Sequence, residues 1–563
     1  MLYTRLIARL LGLVCFLSFM QPAWAESAVK YGIQLDLDVD TTQIQSEVKV
    51  TYQHNGNRAL PFLLFRLDAN LNADVEIQEV TDKEGLVLPA RFYTYDYLEK
   101  KRQDPLVYQV FLPEPLQNGQ QVELTFKYVI RHMPRQNKAY YLIDDAFKLG
   151  LGAWYPRLIP FKEGEWRLHE RLPSDYKVNA RANEKMVVIS PLAAVSINNA
   201  DRSYEYSSER ASEMSLIYTP GMLSRSLDVE GIQVRFYYDR SLEKWSNLSL
   251  DILKEALPYF RNRYGRWPVK QLTVVSMAQH AQPVVAASQL ILLRNSFPED
   301  ADAAVVKRRL TEHLVYGLAQ QYWGYQVKQD SREVPWVTQG LALLQAQNYV
   351  KANLKKKFLM GEALTSTYLR TALQGWNTRL NVTPDELGHW PNQGFTPLAQ
   401  GKGYTLVRLL ENMLGKQTLE QVENRLLQQY VNQPLRAKDF QNSLQTVSGK
   451  DLDWFFGQWV NRGDVLNYGI QSVQQARQED RRIKAVVTLQ NLGEIDMPMT
   501  LALHMKNGET QFKLWNGAKD GFRLTYDLDQ PLERVTLDPL QSTPDVDPTD
   551  NEYKVLGLVK RVD

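Results

Sequence analysis

From Tyr31 the chain alternates apolar and polar positions, with Ile33, Leu35, Leu37 and Val39 on one side and then Val48, Val50 and Tyr52. A period of two puts every second side chain on the same face, which predicts half-buried strands. The rhythm returns at Val122, Leu124 and Phe126 and from Met186 to Ser190. Turn residues punctuate the runs at Asn55-Gly56-Asn57, Asn118-Gly119 and Asn198-Asn199. Residues 26–224 therefore read as an all-β region. After Arg235-Phe236-Tyr237-Tyr238 the spacing becomes helical: Ile252, Leu253, Leu257 and Phe260 recur between Leu248 and Tyr264, and Leu272-Thr273-Val274-Val275 follows as a buried strand. Helical patterns then cover Val305 to Tyr322, Val337 to Leu354, Tyr404 to Leu414, Leu419 to Val431 and Ala437 to Val447. Beyond Asn461-Arg462-Gly463 the alternation resumes at Ala485, Val487 and Leu489 and at Leu501 and Leu503. The pattern predicts an α+β multidomain chain with a β-domain over 26–224, a mostly helical domain over 225–462 and a second β-domain over 463–563.

The first residues follow another logic. Arg5 and Arg9 precede an apolar run from Leu10 to Met20, and Ala23-Trp24-Ala25 ends it. A charged start, a short apolar core and a small-x-small end predict a secretory signal peptide, residues 1–25, cut after Ala25. The run is about half the ~20 residues needed to span a bilayer, and no other stretch is long and apolar enough to do so. An exported protein is expected, with the periplasm the first choice of compartment and secretion the second. Cys15 is the single cysteine, so the mature chain would carry no disulfide, thiolate metal site or cysteine nucleophile. Lys and Arg total 66 against 64 Asp and Glu, and losing Arg5 and Arg9 with the leader makes the two equal. That balance gives no electrostatic case for nucleic acid. Lys355-Lys356-Lys357, the longest basic cluster, reads as a solvated face.

Two central segments carry the chemistry. Tyr316-Gly317-Leu318-Ala319-Gln320-Gln321-Tyr322-Trp323-Gly324 is followed by Trp336-Val337-Thr338-Gln339-Gly340. They resemble the core of the gluzincin aminopeptidases, the family of alanyl aminopeptidase and leukotriene hydrolase, whose members carry H-E-x-x-H-x-W-x-G on one helix and W-x-x-E-G on the next. The 18 residues 321–338 between Gln320 and Gln339 match the family spacing. The resemblance implies an N-terminal β-saddle, a thermolysin-like helical domain and a C-terminal β-sandwich. In the family, histidines four apart share a zinc ion on one helix face, a glutamate on the next helix completes the set, and a carboxylate polarises the bound water.

None of these groups is present here. On this resemblance Tyr316 and Gln320 stand at the two histidine positions, Gln339 at the third-ligand position and Gly317 at the general base. In Pro283-Val284-Val285-Ala286-Ala287, Ala286 stands where the family's G-A-M-E-N segment has its amine-binding glutamate. In Gln400-Gly401-Lys402-Gly403, Gln400 stands at the transition-state tyrosine of Y-x-K-G, and Tyr404 lies four residues on as a weak surrogate. Asp451 to Val460 and Leu537-Asp538-Pro539 extend the likeness outside the site. A register-independent check agrees, because the two nearest of the seven histidines, His280 and His313, are 33 positions apart.

The resemblance therefore implies a member with no zinc and no catalytic residue, a peptide- or protein-binding scaffold of the cell envelope. The alternative is a metallo-aminopeptidase-type hydrolase with a relocated or non-standard site. Glu312-His313, one turn before Tyr316, reads as structural rather than as a relocated ligand, and Trp154-Tyr155-Pro156-Arg157 reads as packing. Tyr316, Gln320 and Gln339 are expected to form a hydrogen-bonded cluster, because an amide or phenol buried without a partner costs about 1–3 kcal/mol.

Overall fold

In the computed structural model the described residues run from Val29 to Val559, leaving out 39, 42, 68–73, 98–99, 132–141, 144–145, 150–153, 169, 184–185, 199, 220, 268–270, 278–282, 295–296, 299, 331, 383–395 and 518–521. The expected signal peptide, residues 1–25, lies outside the described residues.

The alternating N-terminal segments form a seven-stranded sheet. Its centre is Val29–Asp38, antiparallel to Gln43–Gln53 and parallel to Ser174–Ala182. Tyr31, Ile33, Leu35, Val48 and Val50 face inward and are buried, as the period of two requires. A four-stranded sheet lies beside it, in which Leu60–Arg66 pairs on one side with Lys100–Leu116 and on the other with the short strand Arg157–Leu158. Trp154 and Tyr155 are buried in this N-terminal core, and the Tyr155 hydroxyl is 2.8 Å from that of Tyr176.

The strand Leu223–Val229 pairs along its whole length with Ile232–Tyr238 through a hairpin turn at Glu230-Gly231, where both residues have positive φ. The expected division at 224/225 therefore falls inside a strand. That strand opens a five-stranded sheet, in the order Leu223–Val229, Ile232–Tyr238, Gln271–Met277, Leu290–Arg294, Val284–Ala287. Val284–Ala287 is its edge.

Against this sheet lie α1 (Glu243–Tyr264) and α2 (Ala303–Tyr322), followed by α3 (Trp336–Tyr349), α4 (Leu359–Leu373), α5 (Gly403–Leu414), α6 (Lys416–Gln429), α7 (Ala437–Ser448) and α8 (Asp453–Trp459). Asp302 caps α2 by accepting from the amides of Ala304 and Val305 at 2.7 and 3.1 Å. The stretch 350–354, expected as α-helix, widens into a π-type turn, and Lys355, Lys356 and Lys357 beyond it are exposed. α4 has no counterpart in the sequence reading. It buries only Gly361, Tyr368 and Ala372 fully, too few for an apolar face to stand out. Among the described residues no helix is long and apolar enough to cross a membrane.

The C-terminal segment supplies a three-stranded sheet, Tyr468–Arg477, Ile483–Asn491 and Arg523–Leu528, and a four-stranded sheet centred on Met499–Met505 and Leu532–Leu537. One continuous apolar core runs from Val229 through the helices to Leu537. The N-terminal core is separate from it. The helical middle and the C-terminal sheets are thus packed together.

Candidate functional site

α2 is buried on all sides from Leu310 to Tyr322. Tyr316 and Gln320, four residues apart, lie one turn apart on the same face. α3 crosses that face and presents Gln339 from its first turn. A π-type turn, Thr396–Lys402, leads into α5 and brings Gln400 to the same place.

These four side chains form one hydrogen-bonded cluster. The Tyr316 hydroxyl donates to Gln339 Oε1. Gln320 Nε2 donates to the same oxygen at 3.4 Å. Gln400 Nε2 donates to the Tyr316 hydroxyl at 3.0 Å and reaches Gln339 Oε1 at 3.5 Å. The expected contacts among Tyr316, Gln320 and Gln339 are present, and Gln400 joins them. Tyr316 is 1 % exposed, and burial pushes its hydroxyl well above the usual phenol range, so it stays protonated and acts as a donor.

The remaining predicted positions sit differently. A Cβ at Gly317 would lie 2.8 Å from Ile291 Cγ2 and within 3.1 Å of two further atoms of that side chain. α2 therefore rests directly on the sheet at this position, and no side chain fits without a shift. Ala286 is on the edge strand and brings no polar side chain. Its carbonyl takes the hydroxyl of Tyr325. Arg294 N donates to Pro283 O across the strand pair, so the alternation of an antiparallel ladder turns the Ala286 carbonyl outward, to the free edge. Tyr325 thus caps the edge from within the protein. Next to it, Gln321 Nε2 donates to Ala287 O at 3.1 Å. Tyr404 does not act as a surrogate for the position of Gln400, because its hydroxyl donates to Gln347 on α3 at 2.5 Å.

The donor chemistry does not suit a divalent metal. Gln339 Oε1, the oxygen the cluster shares, already accepts from the donors just described, and the phenol is protonated. Among the described residues no three His, Cys, Asp or Glu side chains gather in a way that could hold a metal ion. Glu312, one turn before Tyr316, is committed to structure, since its carboxylate accepts from Leu359 N and Met360 N at 3.0 and 2.8 Å at the start of α4. His313 is 6 % exposed, and burial, reinforced by Arg309 and Arg294, lowers its pKa to about 4. It is a neutral imidazole packed into the fold.

The cluster stands between two cavities. Gln320 and Gln339 line one of about 450 Å³, which also takes Arg66, Arg157 and Arg171 from the N-terminal region. Gln400 lines the other, of about 500 Å³, among the apolar side chains of Val284, Val305, Leu359 and Met360. Gln320 Oε1 is buried and has no hydrogen-bond partner among the described residues.

Sequence reasoning missed Tyr325 and the basic residues of the first cavity other than Arg157. Each meets the site through a contact distant in sequence, for which no spacing signals.

Residues 248–459 match the Peptidase family M1 domain. Among relatives, Aminopeptidase M1-A of Oryza sativa subsp. japonica is 21% identical over 309 residues, covering 53% of this chain and 34% of the rice protein. Aminopeptidase 2, mitochondrial, of Saccharomyces cerevisiae is 22% identical over 356 residues, covering 59% of this chain and 37% of the yeast protein. Probable aminopeptidase 1 of Sulfurisphaera tokodaii is 19% identical over 408 residues, covering 68% and 50%. The chain spans about a third of the length of the rice and yeast relatives it matches.

Proposed function

The central part of the chain, residues 248–459, belongs to peptidase family M1, and from that premise we propose that the protein is an exported, non-catalytic member that holds a peptide or protein segment in the cleft where its relatives would cleave one. The observation that carries this reading is the closed cluster of Tyr316, Gln320, Gln339 and Gln400. Every group in it is neutral, and its central acceptor is already in use. A zinc-bound hydroxide needs anionic or imidazole ligands and a general base, and at Gly317 the packing of Ile291 leaves no room for that base.

On this reading the N-terminal sheets are a β-saddle, the helical middle is thermolysin-like and the C-terminal sheets form a β-sandwich. On the same reading the protein works in the periplasm as a binder. The test is metal analysis of the purified protein together with assays on aminoacyl substrates. The expected result is less than stoichiometric zinc and no released amino acid. Stoichiometric zinc with chelator-sensitive turnover overturns the reading in favour of a hydrolase with a relocated site.

A further inference from the structure

We infer that the free edge of the strand Thr510–Trp515 is a self-association surface, completed by a second copy of this chain through antiparallel strand pairing about a two-fold axis. The inference does not depend on the binding role proposed above.

The first observation is that this strand is inside out. It forms one edge of the C-terminal four-stranded sheet and pairs with Met499–Met505. Leu501 and Leu503 of that neighbour belong to the apolar core. Directly opposite them, and so on the same face, stand Lys513 and Gln511. The outer face carries Phe512 and Leu514, which are 63 % and 78 % exposed. A sheet packed on one face normally alternates apolar in and polar out. Here Trp515 alone obeys that rule, and it closes the core.

The second observation is the backbone. Met505 N donates to Glu509 O at 2.8 Å, so the odd-numbered residues of the strand bond to Met499–Met505. The even-numbered ones then point their N–H and C=O groups to the free edge. Thr510, Phe512 and Leu514 thus present backbone donors and acceptors beside the exposed apolar side chains. Other edges of the molecule are guarded. Asp74–Asp82 is broken by a bulge between Ile77 and Glu79, and its Glu76 and Glu79 pair with Arg131 and Lys127. Val284–Ala287 is capped by Tyr325. Thr510–Trp515 keeps a regular register, the form that templates another strand.

The third observation selects the occupant. A lysine within an edge strand deters indiscriminate pairing, so an incoming strand must answer Lys513 with an acid. The chain carries that acid itself. Glu509 lies four residues before Lys513 and on the same face, since Gln511 Nε2 donates to Glu509 Oε1 at 3.2 Å. With Gln511 of one copy opposite Gln511 of the other, Glu509 of each copy stands opposite Lys513 of its mate. Both are non-hydrogen-bonded positions of the new ladder, where side chains approach most closely. On the outer face Phe512 lies opposite Thr510 and diagonal to the second Phe512. Such an arrangement is isologous and closed, so it stops at two copies. No residue from 509 to 515 lines either cavity beside the cluster, so both cavities stay accessible in the pair.

Sedimentation velocity of the chain from residue 26 onward, at about 5 to 300 µM, tests the pairing. A contact this small belongs to the transient class, with dissociation expected on the order of 100 µM. Lys513→Glu and Glu509→Lys each set like charges opposite one another twice, and each should weaken association about tenfold or more. An equimolar mixture of the two variants should regain the association of the unaltered chain, because each variant then meets the opposite charge at both positions. That recovery also excludes misfolding as the cause of the loss. Phe512→Ser should weaken association several-fold. A chain that stays monomeric throughout overturns the inference. So does association that the single charge changes leave unaltered, or that mixing fails to restore.

Discussion

Two helix contacts less than two turns apart on α3 have opposite characters. At the first, Gly340 meets α5: a Cβ there would lie 2.6 Å from Gly403 O, and one at Gly403 would lie 2.6 Å from Trp336 O. Backbone touches backbone, and the motif glycines and Trp336 that make this possible are all present. At the second, Gln339 meets α2 through side-chain hydrogen bonds among neutral groups. One contact sets the distance between helices through backbone, and the other joins them through polar side chains alone. Backbone-to-backbone packing tolerates no substitution, whereas a polar pocket tolerates any set of side chains that satisfy one another.

The contrast can be broken most forcefully at the glycine contact. Gly340→Ala should cost about 3 kcal/mol or more, the upper end for overpacking against backbone, in urea unfolding. A loss under about 0.5 kcal/mol, the ordinary surface range, would show that the helices can part freely. Acid titration probes the helix that carries the cluster. His313 has a folded pKa near 4, lowered from 6.5, so the unfolded chain binds its proton first. The contribution is intact above pH 6.5 and is lost as pH falls from 6.5 to 4, amounting to on the order of 3 kcal/mol. His313→Gln should flatten that limb of the stability curve, and an unchanged slope would count against a buried neutral imidazole.

Gly317→Ala sharpens the comparison further. Alanine gains about 1 kcal/mol over glycine in a helix, but overpacking against Ile291 costs about 1–3 kcal/mol, so a net loss of about 1 kcal/mol is expected. Ile291→Ala in the same chain should abolish the penalty of the glycine substitution, and strict additivity of the two changes would refute the contact. The smallest effect belongs to the cluster. Tyr316→Phe removes a donor to Gln339 Oε1 and an acceptor for Gln400 Nε2 and should cost about 0.5 kcal/mol, the low end for a hydrogen bond, because Gln339 Oε1 keeps Gln320 and Gln400 as donors.

Periodicity in the sequence located most of the helices and a minority of the strands to within a few residues: the strands Val29–Asp38 and Ile483–Asn491 and the helices Ala303–Tyr322 and Ala437–Ser448 follow the expected alternation or spacing. α4 escaped because a half-exposed helix has little apolar contrast. The cluster was legible because four-residue spacing and a fixed interval to the next helix bring Tyr316, Gln320 and Gln339 together in any chain with this frame. Tyr325, Arg66 and Arg171 were not legible as neighbours of the cluster. Their neighbours are set by how the N-terminal sheets dock on the helices, and linear order carries no trace of that.

Gln320 and Gln339 face one cavity and Gln400 the other, so the side chains that satisfy one another inside the cluster also serve as wall to two separate spaces.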